Sequence, residues 1–241
     1  MDTTKVSVPL KTEVIDGHED LATKASFDEE KESIVDHPIE LLYFQGWWDL
    51  VDSRSVAVVG TRKPSREAIT RTRKLVRKLV EDRFTIVSGL ANGIDTAAHR
   101  TAIELGGSTI GVIGTPLNVR YPKENAALQD QVAKDYLVIS QVPVIRYENP
   151  NPTVNRIFFP ERNITMSALT EATIIVEAGE TSGTVVQARH ALKQQKKLFI
   201  LESSFHKASL TWPHRFEKLG AIRVRDYEDI REHLGASSLA N

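Results

Sequence analysis

A basic pair on a tight turn is the first place in this chain where chemistry is legible. Residues 56–65 read Val-Ala-Val-Val-Gly-Thr-Arg-Lys-Pro-Ser. Four apolar residues of β-forming character run into Gly60, which permits a sharp turn. Pro64 then fixes φ and Ser65 caps the first turn of a helix. A strand-to-helix turn of this kind points backbone N–H groups and a positive dipole end at whatever lies above the strand. Gly60, Thr61, Arg62 and Lys63 therefore form a candidate phosphate site. It is not a Walker loop, because no GxxxxGK[ST] is present, and no GxGxxG occurs anywhere in the chain.

Four further segments have comparable character. Residues 88–99 place Ser88, Gly89 and Gly93 around a small turn, with Asp95 and His99 four apart on the helix that follows. Ser88, Gly89 and Gly93 read as a backbone cradle for phosphate or sugar. Asp95 and His99 are better explained structurally, as a dipole partner and a hydrogen-bonded core group. Residues 177–184 place Ser182, Gly183 and Thr184 at a helix start, where hydroxyls lie beside unpaired N–H groups. Ordinary capping by Ser182 is the plainer role. Residues 158–163 set Arg162 and Asn163 after an aromatic-Pro turn, a combination that can reach phosphate or a base edge beside a stacking ring. Tyr121-Pro122-Lys123-Glu124-Asn125 adds Lys123 shortly after another strand.

Several chemistries are excluded. There are no cysteines, so disulfides, thiolate metal sites and a cysteine nucleophile are absent. The seven histidines show no metal-ligand spacing, and no GxSxG elbow exists. No catalytic residue, metal or cofactor is expected.

Alternating elements must position these segments. Apolar strands are predicted at 55–60, 84–88, 109–114, 137–140, 172–177, 197–201 and 221–224. Helices are predicted at 65–82, 94–105, 123–134, 162–169, 183–194, 213–219 and 227–234. An additional lead-in strand precedes Gly46. The helix at 65–82 shows an apolar stripe of Ile69, Thr72, Leu75, Val76, Leu79 and Val80 against a basic face. Continuously apolar strands separated by helices predict an α/β fold: a Rossmann-like three-layer domain with a mainly parallel sheet of at least six strands. Ligands in such sheets bind beyond the carboxyl ends of the strands, where most of the motifs fall.

The formal net charge of -1 conceals an asymmetry. Residues 1–50 hold 12 acidic and 4 basic residues, and the remainder holds 20 acidic and 27 basic. The division is an acidic, polar N-terminal extension over residues 1–36 and one domain over residues 37–241, with no core strand from residues 1–35. A basic body is compatible with an anionic partner, although charge alone is satisfied by a solvated surface. No run reaches membrane-spanning length and no signal pattern opens the chain, so a cytoplasmic location is expected.

Taken in order, the motifs resemble those of the DNA-processing protein A family (DprA, also called Smf). The matching stretches are Val-Gly-Thr-Arg-Lys-Pro at 59–64, Ser-Gly-Leu-Ala-x-Gly-Ile-Asp-x-x-Ala-His at 88–99 and Tyr-Pro-x-x-Asn at 121–125. Phe-Pro-x-Arg-Asn at 159–163 and Val-Glu-Ala-x-x-x-Ser-Gly at 176–183 complete the series. The resemblance spans roughly residues 38–205. It implies a binder of single-stranded DNA, acting in DNA uptake, recombination or repair, that passes the strand to a RecA-type recombinase. It also implies Arg62 as the main phosphate contact, with Lys123, Arg162 and Asn163 around one pocket, and no chemical reaction. A homodimer is a further expectation. Gln141, Ile164 and Leu201-Glu202 depart from the family pattern and mark a diverged or stand-alone member.

Two other readings compete. The fold is similar to that of lysine-decarboxylase-like nucleotide hydrolases and nucleotide sensors, in which case Glu177 is the only obvious acid. The turn at 178–184 keeps Gly-Thr but lacks their Pro-Gly-Gly. A partner-binding scaffold using the basic helix 65–82 is the third.

Overall fold

The computed structural model describes residues 41–144, 147 and 158–235. The acidic extension, residues 1–36, lies outside the described residues. Eight strands occur among the described residues: β1 Tyr43–Gly46, β2 Ser55–Val59, β3 Thr85–Ser88, β4 Thr109–Ile113, β5 Leu137–Ser140, β6 Ala172–Ile175, β7 Lys197–Leu201 and β8 Ile222–Val224. They form one sheet in the order β1-β5-β4-β3-β2-β6-β7-β8. Only β1 runs antiparallel, against β5, and every other neighbouring pair is parallel.

Seven α-helices accompany the sheet among the described residues: α1 Arg66–Glu81, α2 Ile94–Glu104, α3 Ala126–Asp135, α4 Phe158–Ala168, α5 Gly183–Lys193, α6 Trp212–Lys218 and α7 Tyr227–Leu234. Strands β2 to β6 are buried along their whole length because both faces of the sheet are covered there. Val56 and Val58 of β2 pack with Ala68, Val76 and Leu79 of α1 and Ala98 of α2. Ala57 and Val59 point the other way, toward Met166 of α4 and Ala188 of α5. The alternation of β2 thus assigns α1 and α2 to one face and α4 and α5 to the other, which makes the three-layer Rossmann-like arrangement.

The predicted helix starts are shifted at two places. Lys123–Asn125 forms a 3-10 turn before α3, with Asn125 buried and its Nδ2 donating to Leu90 O (2.9 Å) and Thr96 Oγ1 (2.8 Å). The asparagine of the Tyr-Pro-x-x-Asn stretch therefore ties down the neighbouring loop. Helix α4 is already helical at Phe158, four residues before the predicted Arg162. Its Pro160 is tolerated in the first turn, where no intrahelical N–H bond is lost.

The chain turns outward from β2 to β3, β4 and β5 on one side, then returns to place β6 on the other side of β2. The boundary between β2 and β6 is thus the topological switch point, where a crevice opens beyond the strand ends.

Candidate nucleic-acid interface

The turn after β2 is held from both sides. Thr61 N donates to Glu177 O (2.7 Å), just beyond β6, and Ile94 N at the start of α2 donates to Thr61 O (3.3 Å). No side chain fits at Gly60, because a Cβ would lie 2.6 Å from Ile94 Cγ1 and 2.8 Å from Glu177 O. Gly93 has φ +84, and a Cβ there would meet Thr61 O at 2.4 Å. Both glycines are demanded by backbone contact at this turn, so Gly93 supports the cradle from behind. Arg62 and Lys63 remain exposed on the immobilised turn. Ser65 caps α1 by accepting from Ala68 N (3.1 Å).

Above the switch point lies a cleft of about 580 Å³. One wall is Gly60–Lys63, the second is Phe159, Arg162, Asn163 and Met166 of α4, and the third is Thr181–Thr184 with Gln187 of α5. Arg62 also lines a smaller recess with Tyr121, Pro122 and Phe159. The rings of Tyr121 and Phe159 are 5.6 Å apart, and the Arg62 guanidinium carbon is 5.9 Å from the Phe159 centroid. Tyr121 is 45% exposed. A cation and two aromatic rings thus line one rim, with ring surface open to solvent.

The residues singled out in the sequence divide into three groups. Gly60, Thr61, Arg62, Lys63, Asn163, Ser182, Gly183 and Thr184 all line the cleft. Asn163 Nδ2 donates to Gly183 O (3.4 Å), linking α4 to the start of α5, and Ser182 Oγ accepts from Thr184 N (3.2 Å) as a cap. Lys123 is exposed but does not line the cleft, since its turn sits beside the smaller recess. Ser88 is fully buried with Oγ donating to Val58 O (2.7 Å), so it joins two strands rather than contacting a ligand.

Arg162 requires the largest correction to its expected place. It lines the cleft but is only 7% exposed, and Nη1 donates to Gly89 O (2.8 Å) and Val112 O (2.9 Å). Gly89 makes room for it, because a Cβ there would fall 1.8 Å from Nη1. Asp95 attracts Arg162 and accepts from Gly89 N (3.2 Å) and Ala91 N (3.4 Å). Burial drives the Asp95 carboxyl upward and the Arg162 guanidinium downward, while their mutual attraction opposes both shifts. Together they staple the 88–95 loop to β4 and α4. His99 is buried, with Nδ1 2.7 Å from Thr109 Oγ1, and desolvation lowers its pKa to about 3, so it is neutral.

Glu177 is likewise committed to structure. Its carboxylate accepts from Ser65 N (3.0 Å), Ser65 Oγ (2.9 Å) and Lys207 Nζ (3.0 Å), and lies 3.7 Å from Arg71. Burial by itself raises this carboxyl, but the Ser65 amide, Lys207 and the Ser65 hydroxyl outweigh it and hold it below the ordinary glutamate range. A carboxyl lowered in the folded state adds stability above its unfolded pKa, and that contribution is lost as pH falls through the folded value. Parent protein should therefore lose thermal stability below about pH 4.5. Glu177→Gln should start lower at neutral pH and lose less on acidification. Melting curves across pH 7 to 3 check this, and parallel curves for the two proteins would count against it.

Phe159 and Gln187 of the cleft and Tyr121 of the smaller recess were not singled out as site residues in the sequence. Phe158-Phe159 gives no indication of which ring is buried; Phe158 takes the core position and is 2% exposed. Gln187 has no signal beyond its place one turn along α5.

The chain matches the sequence profile of the family described as DNA recombination-mediator protein A over residues 21–235. It is 36% identical over 197 residues to the DNA processing protein DprA of Streptococcus pneumoniae, covering 82% of this chain and 67% of that protein. Protein Smf of Escherichia coli is 34% identical over 194 residues, covering 80% and 50% respectively. The structure of DNA processing protein A from Helicobacter pylori, described for its single-stranded DNA binding mode, superposes with a TM-score of 0.71 at 30% identity, covering 84% of this chain and 90% of that one. The chain spans half to two thirds of the length of these curated relatives.

Proposed function

Because this chain belongs to the DNA recombination-mediator protein A family, we propose that it binds single-stranded DNA across the switch-point cleft and acts in DNA uptake, recombination or repair without a chemical step. The observation that carries this reading is the rim where Arg62 and Lys63 stand exposed beside Phe159 and Tyr121. Cations meet phosphates and ring faces accept unpaired bases, which a duplex keeps stacked inside. With the rim cations on phosphates and the rings stacking on bases of any kind, sequence preference should be weak. Handover to a RecA-type recombinase and a homodimeric state belong to the same proposal and rest on the family alone.

The hydrolase reading loses support from Glu177, whose oxygens are occupied by Ser65 and Lys207 instead of facing the cleft. No group of three or more acidic or histidine side chains is arranged to hold a metal among the described residues. No helix among the described residues is long and apolar enough to cross a membrane.

Fluorescence titrations with single-stranded and duplex DNA at several salt concentrations, beside a nucleotide panel, test the proposal. Single strands should bind tighter than duplex. With Arg62 and Lys63 on phosphates, log affinity should fall against log salt with a slope of about -1.4, since each neutralised phosphate on a single strand contributes about -0.7. Alanine at either position should make the slope shallower by about 0.7. Salt-insensitive binding, or a mononucleotide that binds as well as a long strand, would favour the nucleotide pocket instead.

A further inference from the structure

We propose that the exposed face of α1 is a second phosphate-binding surface, along which a single strand leaving the cleft continues. This rests on the reading that the cleft takes a single strand. It adds a surface outside the stretches that resemble the family's, since those end at Pro64 and resume at Ser88. Helix α1 carries six cations and two acids. Its apolar side, with Leu75, Val76 and Leu79, is buried, which leaves Arg66, Arg73, Lys74, Arg77 and Lys78 exposed. At 3.6 residues per turn and 1.5 Å per residue, Arg66, Arg73 and Arg77 fall within about 40° of one another around the axis and span about 16 Å along it. Ser65 caps the helix, so this line begins beside Arg62 and Lys63 on the cleft rim.

These cations work against the stability of their own helix. Arg73 and Arg77 lie four residues apart, as do Lys74 and Lys78, and like charges at that spacing repel. Arg66, in the first turn, adds a cation at the positive end of the helix dipole. The fold neutralises only part of this charge. Lys78 Nζ is 2.9 Å from Glu81, and Arg71 is 3.7 Å from Glu177. The side chains of Arg66, Arg73, Lys74 and Arg77 make no ion pair or hydrogen bond among the described residues. Free cations gathered on one helix face concentrate a positive field that an extended polyanion neutralises. The face suits a nucleic-acid backbone better than an acidic protein segment. A protein partner anchors through apolar and aromatic contacts, and none of the large apolar side chains exposed among the described residues belongs to α1. Phosphates need only the cations. With no ring on this face to stack a base, the surface adds affinity and length of contact without sequence preference.

Fluorescence titrations with oligothymidylates of about 4 and about 16 nucleotides, the two ends of the usual range of single-strand site sizes, test the proposal. The short strand should be held by the rim alone. The long strand should bind tighter and with a steeper salt dependence, because Arg66, Arg73 and Arg77 add about -2.1 to the log–log slope at about -0.7 per phosphate. Arg73→Gln combined with Arg77→Gln should weaken long-strand binding by about tenfold, the effect of two exposed charge contacts. It should make the long-strand slope shallower by about 1.4 and leave the short strand unchanged. The melting temperature should hold or rise slightly, because a repulsive pair is removed. Lys134→Gln combined with Lys218→Gln makes the same change in net charge at exposed sites outside α1, and both strands should bind this variant as they bind the parent. A parent that binds both lengths alike overturns the α1 surface and leaves the cleft reading standing. An unchanged long-strand affinity in the Arg73 and Arg77 variant, an equal loss from the two strands, or an equal loss from the Lys134 and Lys218 variant also overturns it. A parent that binds neither length overturns the cleft reading together with this one.

Discussion

Replacing Arg62 with alanine is expected to weaken single-stranded DNA binding by about tenfold to a hundredfold, the range of one charge-assisted hydrogen bond to phosphate. The melting temperature should stay within about 2 °C of the parent, as for surface substitutions in domains of this size. Both halves follow from one arrangement. The Arg62 backbone is fixed by the bonds that Thr61 makes to Glu177 O and Ile94 N, while the Arg62 side chain is exposed. Its aromatic contact with Phe159, at 5.9 Å, is at the outer edge of a cation–π distance and adds little to stability. The pre-set backbone keeps the ordering cost of binding low. A titration in which mutant and parent bind equally would remove Arg62 from the interface. A large fall in melting temperature would show that the turn depends on the side chain.

Arg162→Ala should have the opposite profile. Removing one member of a buried charge pair typically costs about 3–5 kcal/mol, because the partner charge is left buried and uncompensated. Here the stranded groups are the Asp95 carboxylate and the carbonyls of Gly89 and Val112. At about 2–4 °C per kcal/mol for a domain of this size, the melting temperature should fall by roughly 6–20 °C. Loss of DNA binding should follow from collapse of the 88–95 loop, and so track the unfolding. Pairing Arg162→Met with Asp95→Asn should recover much of the lost stability, since no lone charge remains inside. Differential scanning calorimetry of the three variants measures this. A stable Arg162→Ala protein that no longer binds DNA would return Arg162 to the role its sequence position implied.

The contrast between these two arginines shows how far the sequence reaches. In the sequence both read as lying near the start of a helix after a turn, and both belong to motifs that resemble those of the family. Periodicity alone predicts the alternation of strands and helices, because a doubly covered parallel strand must be apolar on both sides and a helix on one. Composition excludes thiolate chemistry, and Gly60-Thr61-Arg62-Lys63 announces its turn through local backbone rules. These properties depend on neighbours within a few residues.

Burial and direction depend on partners far along the chain. Arg162 is withdrawn from solvent by carbonyls at Gly89 and Val112, 73 and 50 residues away. Ser88 Oγ is turned to Val58 O, and the Glu177 carboxylate is engaged by Ser65 and Lys207. Lys123 is set apart because its 3-10 turn is anchored by Asn125 beneath Leu90 and Thr96. The cleft exists because β6 returns to the far side of β2, and only that strand order brings the Arg62 turn, α4 and the start of α5 to one place. Local backbone rules in the sequence mark the turns at 60–63 and 182–184 as candidate phosphate sites. The tertiary structure decided which charged side chains are free to meet one, because each is either solvated or already paired according to what the fold packs against it.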